Sequence, residues 1–192
     1  MLKLTKRALL ISTALGMAAL AVPAMAQDKI IIGFSQASSN SAHRNTMTSR
    51  NVDYAAANFA DAELIVTNAE GKAAKQITDV ESLLVQGMKV LMISAQDSEA
   101  LTPIVKEVMA AGIPVVTLER KVNTPVTAHI GPLNKPIGAL AGKFIVDALG
   151  GKGNIVEIKG DPAVAPAVER HDGFAEAIAG TDIKVIAEQN AD

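Results

Sequence analysis

The chain contains no cysteine and no tryptophan, and with one tyrosine and four phenylalanines its aromatic content is only 3% of 192 residues. Without cysteine, thiol catalysis, disulfide bracing and a cysteine-ligated metal are excluded. The same absence leaves the compartment open, because a large core can do without disulfides. Charge is sparse too, at 20% of residues with a net of −2. No broad basic surface is available, which disfavours nucleic acid as a partner. At 49% apolar residues the chain is too hydrophobic to be disordered. Its three histidines, His43, His129 and His171, are too scattered for a metal-ligand spacing, and no cofactor or metal is expected.

The first 26 residues distort these averages. They hold three cations (Lys3, Lys6, Arg7), no acid and 18 apolar side chains, so the rest of the chain sets 15 cations against 20 anions. A basic start, an uncharged run from Ala8 to Val22, then Pro23 and Ala24-Met25-Ala26, form the pattern of a secretory signal cleaved after Ala26. The run is shorter than the roughly 20 apolar residues of a membrane-spanning helix, which argues against an uncleaved anchor. Export from a bacterial cytoplasm, with a mature start at Gln27, is the expectation.

Beyond the signal, apolar runs alternate with helical periods. Strands are predicted at Lys29–Phe34, Glu63–Thr67, Val90–Ser94, Val115–Leu118, Thr127–Ile130, Ile155–Ile158 and Ile183–Ala187. Helices fall between them, the clearest carrying Ile137, Leu140, Ala141, Phe144, Ile145, Ala148 and Leu149 on one face. Strands about 25 residues apart with helices between imply βαβ crossovers and an α/β fold with parallel sheet covered on both sides. The proline-bearing stretch Val122–Pro136 breaks this rhythm, either as a crossing between two lobes or as a long loop. After Asn134 only two strands and two helices remain, a poor unit on its own, so the chain looks cut short.

In open parallel sheets ligands bind at the carboxyl ends of strands. Those ends carry Ser35 to Arg44, then Ala95-Gln96-Asp97, Glu119-Arg120 and Gly160-Asp161, with Glu169-Arg170 in the following helix. The set is rich in hydroxyls, amides and guanidiniums. Each has a plainer alternative: Asp97 as a helix cap, Ser38 to Ser41 as turn chemistry, Glu119-Arg120 as a solvated pair, His43 and Arg44 as an exposed helix start. Dinucleotide, Walker and G-x-S-x-G motifs are missing. Gly150-Gly151-Lys152-Gly153 follows a helix and precedes a strand, the reverse of a phosphate loop, and is therefore a helix C-cap and turn.

In order along the chain, Ile32-Gly33-Phe34-Ser35-Gln36, Lys75-Gln76-Ile77, Val115 to Arg120, Ile158-Lys159-Gly160 and Glu169 to Phe174 resemble the periplasmic solute-binding proteins of the ribose and galactofuranose type, which serve ATP-driven sugar importers. The resemblance runs from Lys29 to Asp192. It implies two similar α/β lobes on a three-stranded hinge, with a sugar or polyol trapped between them, and here an incomplete second lobe. The chain then divides into a signal peptide (1–26), an N-terminal lobe (27–132) and a partial C-terminal lobe (133–192).

The resemblance also implies site residues. Ser35 and Ser39 lie in the loop that hydrogen-bonds sugar hydroxyls. His43 stands where the family usually has an aromatic ring on the sugar face, and Arg44 matches an arginine of the galactofuranose subgroup. Glu119 replaces the usual aspartate beside the clamping arginine, Arg120. Arg170 reaches in from the second lobe, and Asn134 follows the first hinge crossing. The implied protein is a periplasmic monomer, not an enzyme, with an inner-membrane ABC permease as partner. Three alternatives remain: an exported sensor of the same fold, a repressor core, which would carry a helix-turn-helix in place of the signal, and an exported enzyme built on Ser35 with His43.

Overall fold

A computed structural model describes residues 29–191, so the expected signal lies outside the described residues. Twelve elements follow one another: β1 (Ile30–Gln36), α1 (Ala42–Asn58), β2 (Ala62–Asn68), α2 (Ala73–Val85), β3 (Val90–Ser94), α3 (Thr102–Ala110), β4 (Val115–Leu118), β5 (Ala128–Ile130), α4 (Asn134–Leu149), β6 (Lys152–Lys159), α5 (Ala165–Ile178) and β7 (Asp182–Asn190). Among the described residues no helix is long and apolar enough to cross a membrane. The α/β expectation holds: β1 to β5 form a parallel sheet in the order β2-β1-β3-β4-β5, and β6 pairs with β7 in a second, two-stranded one. Chain order reverses between β1 and β3, and a reversal of that kind opens a crevice at the strands' carboxyl ends.

The core of the larger unit is aliphatic. Leu83, Leu91, Ile93, Leu101, Val105, Val108 and Val115 are each fully buried between α2, α3 and the sheet. Helix α2 buries Gln76, Val80 and Leu83, one stripe at helical spacing. It lies so close to β1 that a Cβ on Gly33 would come within 2.8 Å of Leu83 Cδ1, and the Leu83 side chain would have to shift to admit it. Helix α1 is different, because its one buried residue is Arg44. Greasy packing therefore does little to hold α1, and a guanidinium ties it down.

The two-stranded unit departs from the sequence expectation. The stripe of α4 predicted to pack inward is largely outward, with Leu140 and Phe144 about 70% exposed, and α4 instead buries Asn134, Gly138 and Gly142. Its partner is α5, not a strand, and the two backbones approach through glycines. A Cβ on Gly138 would run into the carbonyl of Arg170, and one on Gly173 into the carbonyl of Lys135. Strands β6 and β7 leave Val156, Ile158 and Ile186 exposed, since two strands cannot cover what a full sheet would. The Gly150 turn is as expected, a left-handed residue (φ 64°) closing α4.

Polar contacts join the units. The Ser98 amide donates to the Ala163 carbonyl (2.9 Å), the Ala165 amide donates to Ser98 Oγ (3.1 Å), and Lys121 Nζ meets Glu169 Oε1 at 2.8 Å. These hold the β6–α5 loop against the ends of β3 and β4. The glycine contacts of α4 and α5 lead to a first prediction: Gly138→Ala will force the helices apart and cost about 1–3 kcal/mol, read as a lower urea midpoint. An unchanged midpoint would show that the helices do not pack at this distance.

Candidate ligand-binding site

The polar residues gather where the switch-point geometry puts them. Ser41 caps α1 by accepting the Arg44 amide (3.4 Å), which starts the helix so that Arg44 points back under the sheet end. Arg44 Nη1 donates to Gln36 Oε1 (2.9 Å) on β1 and to Ser94 Oγ (3.2 Å) on β3, and its Nη2 lies 3.5 Å from Glu119 Oε2 after β4. One side chain thus spans three strand ends. Burial pushes the Arg44 guanidinium below its ordinary range, with the Glu119 carboxylate working against that.

Glu119 sits at φ +61°, a left-handed conformation that side chains other than glycine rarely adopt. Its amide donates to the Ile130 carbonyl (2.8 Å), and the next amide, of Arg120, turns back to the Leu118 carbonyl (2.6 Å). The turn brings the carboxylate to Arg120 as well, with Nε 3.6 Å from the same Oε2. Arg120 Nη1 faces the carbonyls of Ala95 (3.5 Å) and Gln96 (3.4 Å) and Gln96 Oε1 (3.5 Å). Burial lowers the Arg120 pKa, and nearby Arg44 lowers it further, while Glu119 and Asp161 oppose the shift. Two cations therefore share one carboxylate, and the contacts of Arg120 are long enough to be exchanged for a ligand's.

From the second unit, the buried Asn134 amide oxygen accepts from Arg170 Nε (2.9 Å), aiming an otherwise exposed side chain. Glu119, Arg120, Asp161 and Arg170 line one open cavity of about 610 Å³. Nearby, His171 Nδ1 lies 2.9 Å from Glu157, and Lys159 Nζ lies 2.6 Å from Glu188. These four tie β6, α5 and β7 together as a polar network, each carboxylate already engaged.

The remaining expected residues stand apart. Strand β1 runs on to Gln36, so Ser35 belongs to the strand and not to a loop; it is fully buried, and its hydroxyl has no hydrogen-bond partner among the described residues. Ser39 is exposed and accepts from Asn68 Nδ2 (2.7 Å) at the end of β2. His43 is exposed in the first turn of α1. No hydrogen bond joins Ser35 to His43 among the described residues, so a nucleophile–base pair is not assembled there. Asp97 does not cap α3, whose N-cap is Leu101; it closes the turn before that helix by accepting the amides of Glu99 (2.9 Å) and Ala100 (2.8 Å). Gln36 and Ser94, the anchors of Arg44, were missed as site residues; polar side chains closing otherwise apolar strands were the available signal.

The chain belongs to the periplasmic binding protein domain family, whose model matches residues 32–192. It is 35% identical over 130 residues to the ribose import binding protein of Escherichia coli (strain K12), covering 67% of this chain and 44% of that protein. To the galactofuranose-binding protein of the same organism it is 33% identical over 192 residues, covering 95% of this chain and 57% of the relative. Among solved structures, the fructose-binding periplasmic domain of a hybrid two-component system aligns with a TM-score of 0.79 at 36% identity, covering 84% of this chain and 54% of that one. The chain thus spans about half the length of the relatives it matches. These relatives are binding proteins, and the family is a periplasmic one.

Removing the shared charge exposes the repulsion it balances. Glu119→Gln will leave Arg44 and Arg120 facing each other without the carboxylate they share and will destabilise the protein by about 1–3 kcal/mol. High salt will narrow the gap to wild type by screening the two cations. Urea unfolding at low and high ionic strength checks both parts, and a gap that ignores salt would contradict the charge argument.

Proposed function

We propose that this protein binds a sugar or sugar-like polyol in the cleft between the unit of residues 27–132 and that of residues 133–192. The observation that carries the reading is the convergence of Arg44, Glu119 and Arg120 at the switch point, with Arg170, from the other unit, lining the cavity that Glu119 and Arg120 line. Adjacent hydroxyls match the fork of a guanidinium, and each hydroxyl can donate in return to a carboxylate. An analogue lacking one hydroxyl would leave a buried donor unpaired, which gives such a site its selectivity. In this reading Ser39, His43 and Asn134 complete the surroundings of the ligand, while Ser35, sealed within β1, lies behind them. Contacts made from both units favour the closed arrangement, and a permease recognises that arrangement. Delivery to an ABC importer in the inner membrane, by a monomer exported on a cleaved signal, is the role that follows.

A second reading has one specific support: the fructose-binding match is a periplasmic domain of a hybrid two-component system. The same cleft would then report the ligand to a sensor, and the partner alone distinguishes the two roles.

Calorimetry with D-ribose, D-fructose and xylitol tests the site. Wild type should bind at least one of them, and Arg120→Ala should lose at least a hundredfold in affinity. Its melting temperature should hardly move, because the lost contacts are long and the repulsion with Arg44 disappears with them. Unchanged affinity in Arg120→Ala would remove Arg120 from the site, and no binding of any of the three by wild type would count against the sugar reading.

A further inference from the structure

Gln76 belongs to the motif that carries the family resemblance, yet nothing above gives it a task at the site. It lies in the first turn of α2, on the stripe that packs against the core, and it is fully buried among aliphatic side chains. Burying an amide there is costly unless every polar atom is matched. Here all are used. Nε2 donates to the carbonyls of Ser94 (2.9 Å) and Ser35 (3.4 Å), and Oε1 accepts the amide of Gln96 (2.8 Å).

Those partners lie on the two strands that flank the switch point, β1 and β3. Ser35 and Ser94 stand in the last rungs of the β1–β3 ladder and Gln96 lies two residues past the end of β3, so the amide from α2 ties the two strand ends to the segment that leaves the sheet. The segment it holds, Ser94 to Gln96, touches both site arginines. Ser94 Oγ accepts from Arg44, and Ala95 and Gln96 face Arg120. We infer that Gln76 is the positioning residue of the site: through residues 94–96 it sets the places of Arg44 and Arg120, and so of the carboxylate between them, without touching a ligand. This rests on the proposed site but not on the identity of the ligand.

The test uses the whole chain with Gln76→Met and Gln76→Glu. Methionine fills the same space and leaves the Ser94 carbonyl and the Gln96 amide unpaired. Glutamate keeps an acceptor for Gln96, but when ionised it turns oxygen toward two carbonyl oxygens; only its protonated form can donate as glutamine does. Amide exchange at Gln96, followed by NMR without ligand, should be at least tenfold faster in Gln76→Met than in wild type. In Gln76→Glu the rate, taken as a ratio to wild type at the same pH, should be high at neutral pH and fall toward one as the pH falls. Affinity for D-ribose, D-fructose or xylitol, whichever wild type binds, should follow the same pattern: at least tenfold weaker in Gln76→Met at every pH, and regained by Gln76→Glu on acidification. A residue that merely fills the core would lower the melting temperature of Gln76→Met and leave both exchange and affinity at wild-type values. That result, or a Gln76→Glu to wild-type ratio that is flat with pH, overturns the assignment. Should wild type bind none of the three probes, the sugar reading fails while the exchange arm still decides the role of Gln76.

Discussion

Two guanidiniums and a carboxylate meet at the end of a parallel sheet, and most of what is unusual in this fold serves to bring them there. Glu119 reaches the meeting point by taking a backbone conformation that costs on the order of 1–3 kcal/mol, held by the pairing of β4 with β5. Arg44 reaches it from α1, a helix with no other buried residue. Arg120 arrives beside Glu119 on the same tight turn. The aliphatic core between α2, α3 and the sheet supplies the stability from which such costs are met.

A buried cluster of this kind is weak evidence for stability and better evidence for function. Charges taken from water are repaid only where geometry and hydrogen bonds are both good. Arg44 meets that standard, with acceptors from β1 and β3 in addition to Glu119. Arg120 does not: its contacts lie at 3.4 to 3.6 Å and a like charge stands close by. An arginine held in approximate contact with carbonyls at a cavity wall is one that a ligand's hydroxyls can satisfy better. The second unit supplies the opposite wall, and Asn134 fixes the direction of Arg170 there.

Much of this was legible in the sequence, for physical reasons that differ by element. Strands β3 and β4 were predicted at their observed ends because short apolar runs bounded by polar residues leave little choice. The grouping of Glu119 with Arg120 followed from the rule that ligands sit at strand ends. The burial of α4 was not legible: its apolar stripe pointed to one face, whereas Gly138 and Gly142 allow a closer approach to α5 on another. Nor were the contacts of Gln36, Ser94 and Gln76: a polar residue closing an apolar strand marks the first two, but the sequence does not say which side chain each meets. Their roles appear only when β1, β3 and α2 are side by side. Ser35 shows the converse, a residue placed in a binding loop by resemblance and found in the strand, sealed beneath the strand end.

A crystal structure grown with D-ribose or D-fructose would test the central claim most directly. The account predicts a sugar in the cleft, with adjacent hydroxyls within hydrogen-bond distance of the Arg120 guanidinium and the Glu119 carboxylate, and with Arg170 closing from the other side. A sugar bound elsewhere, or Glu119 turned to solvent while the sugar occupies the cleft, would contradict it.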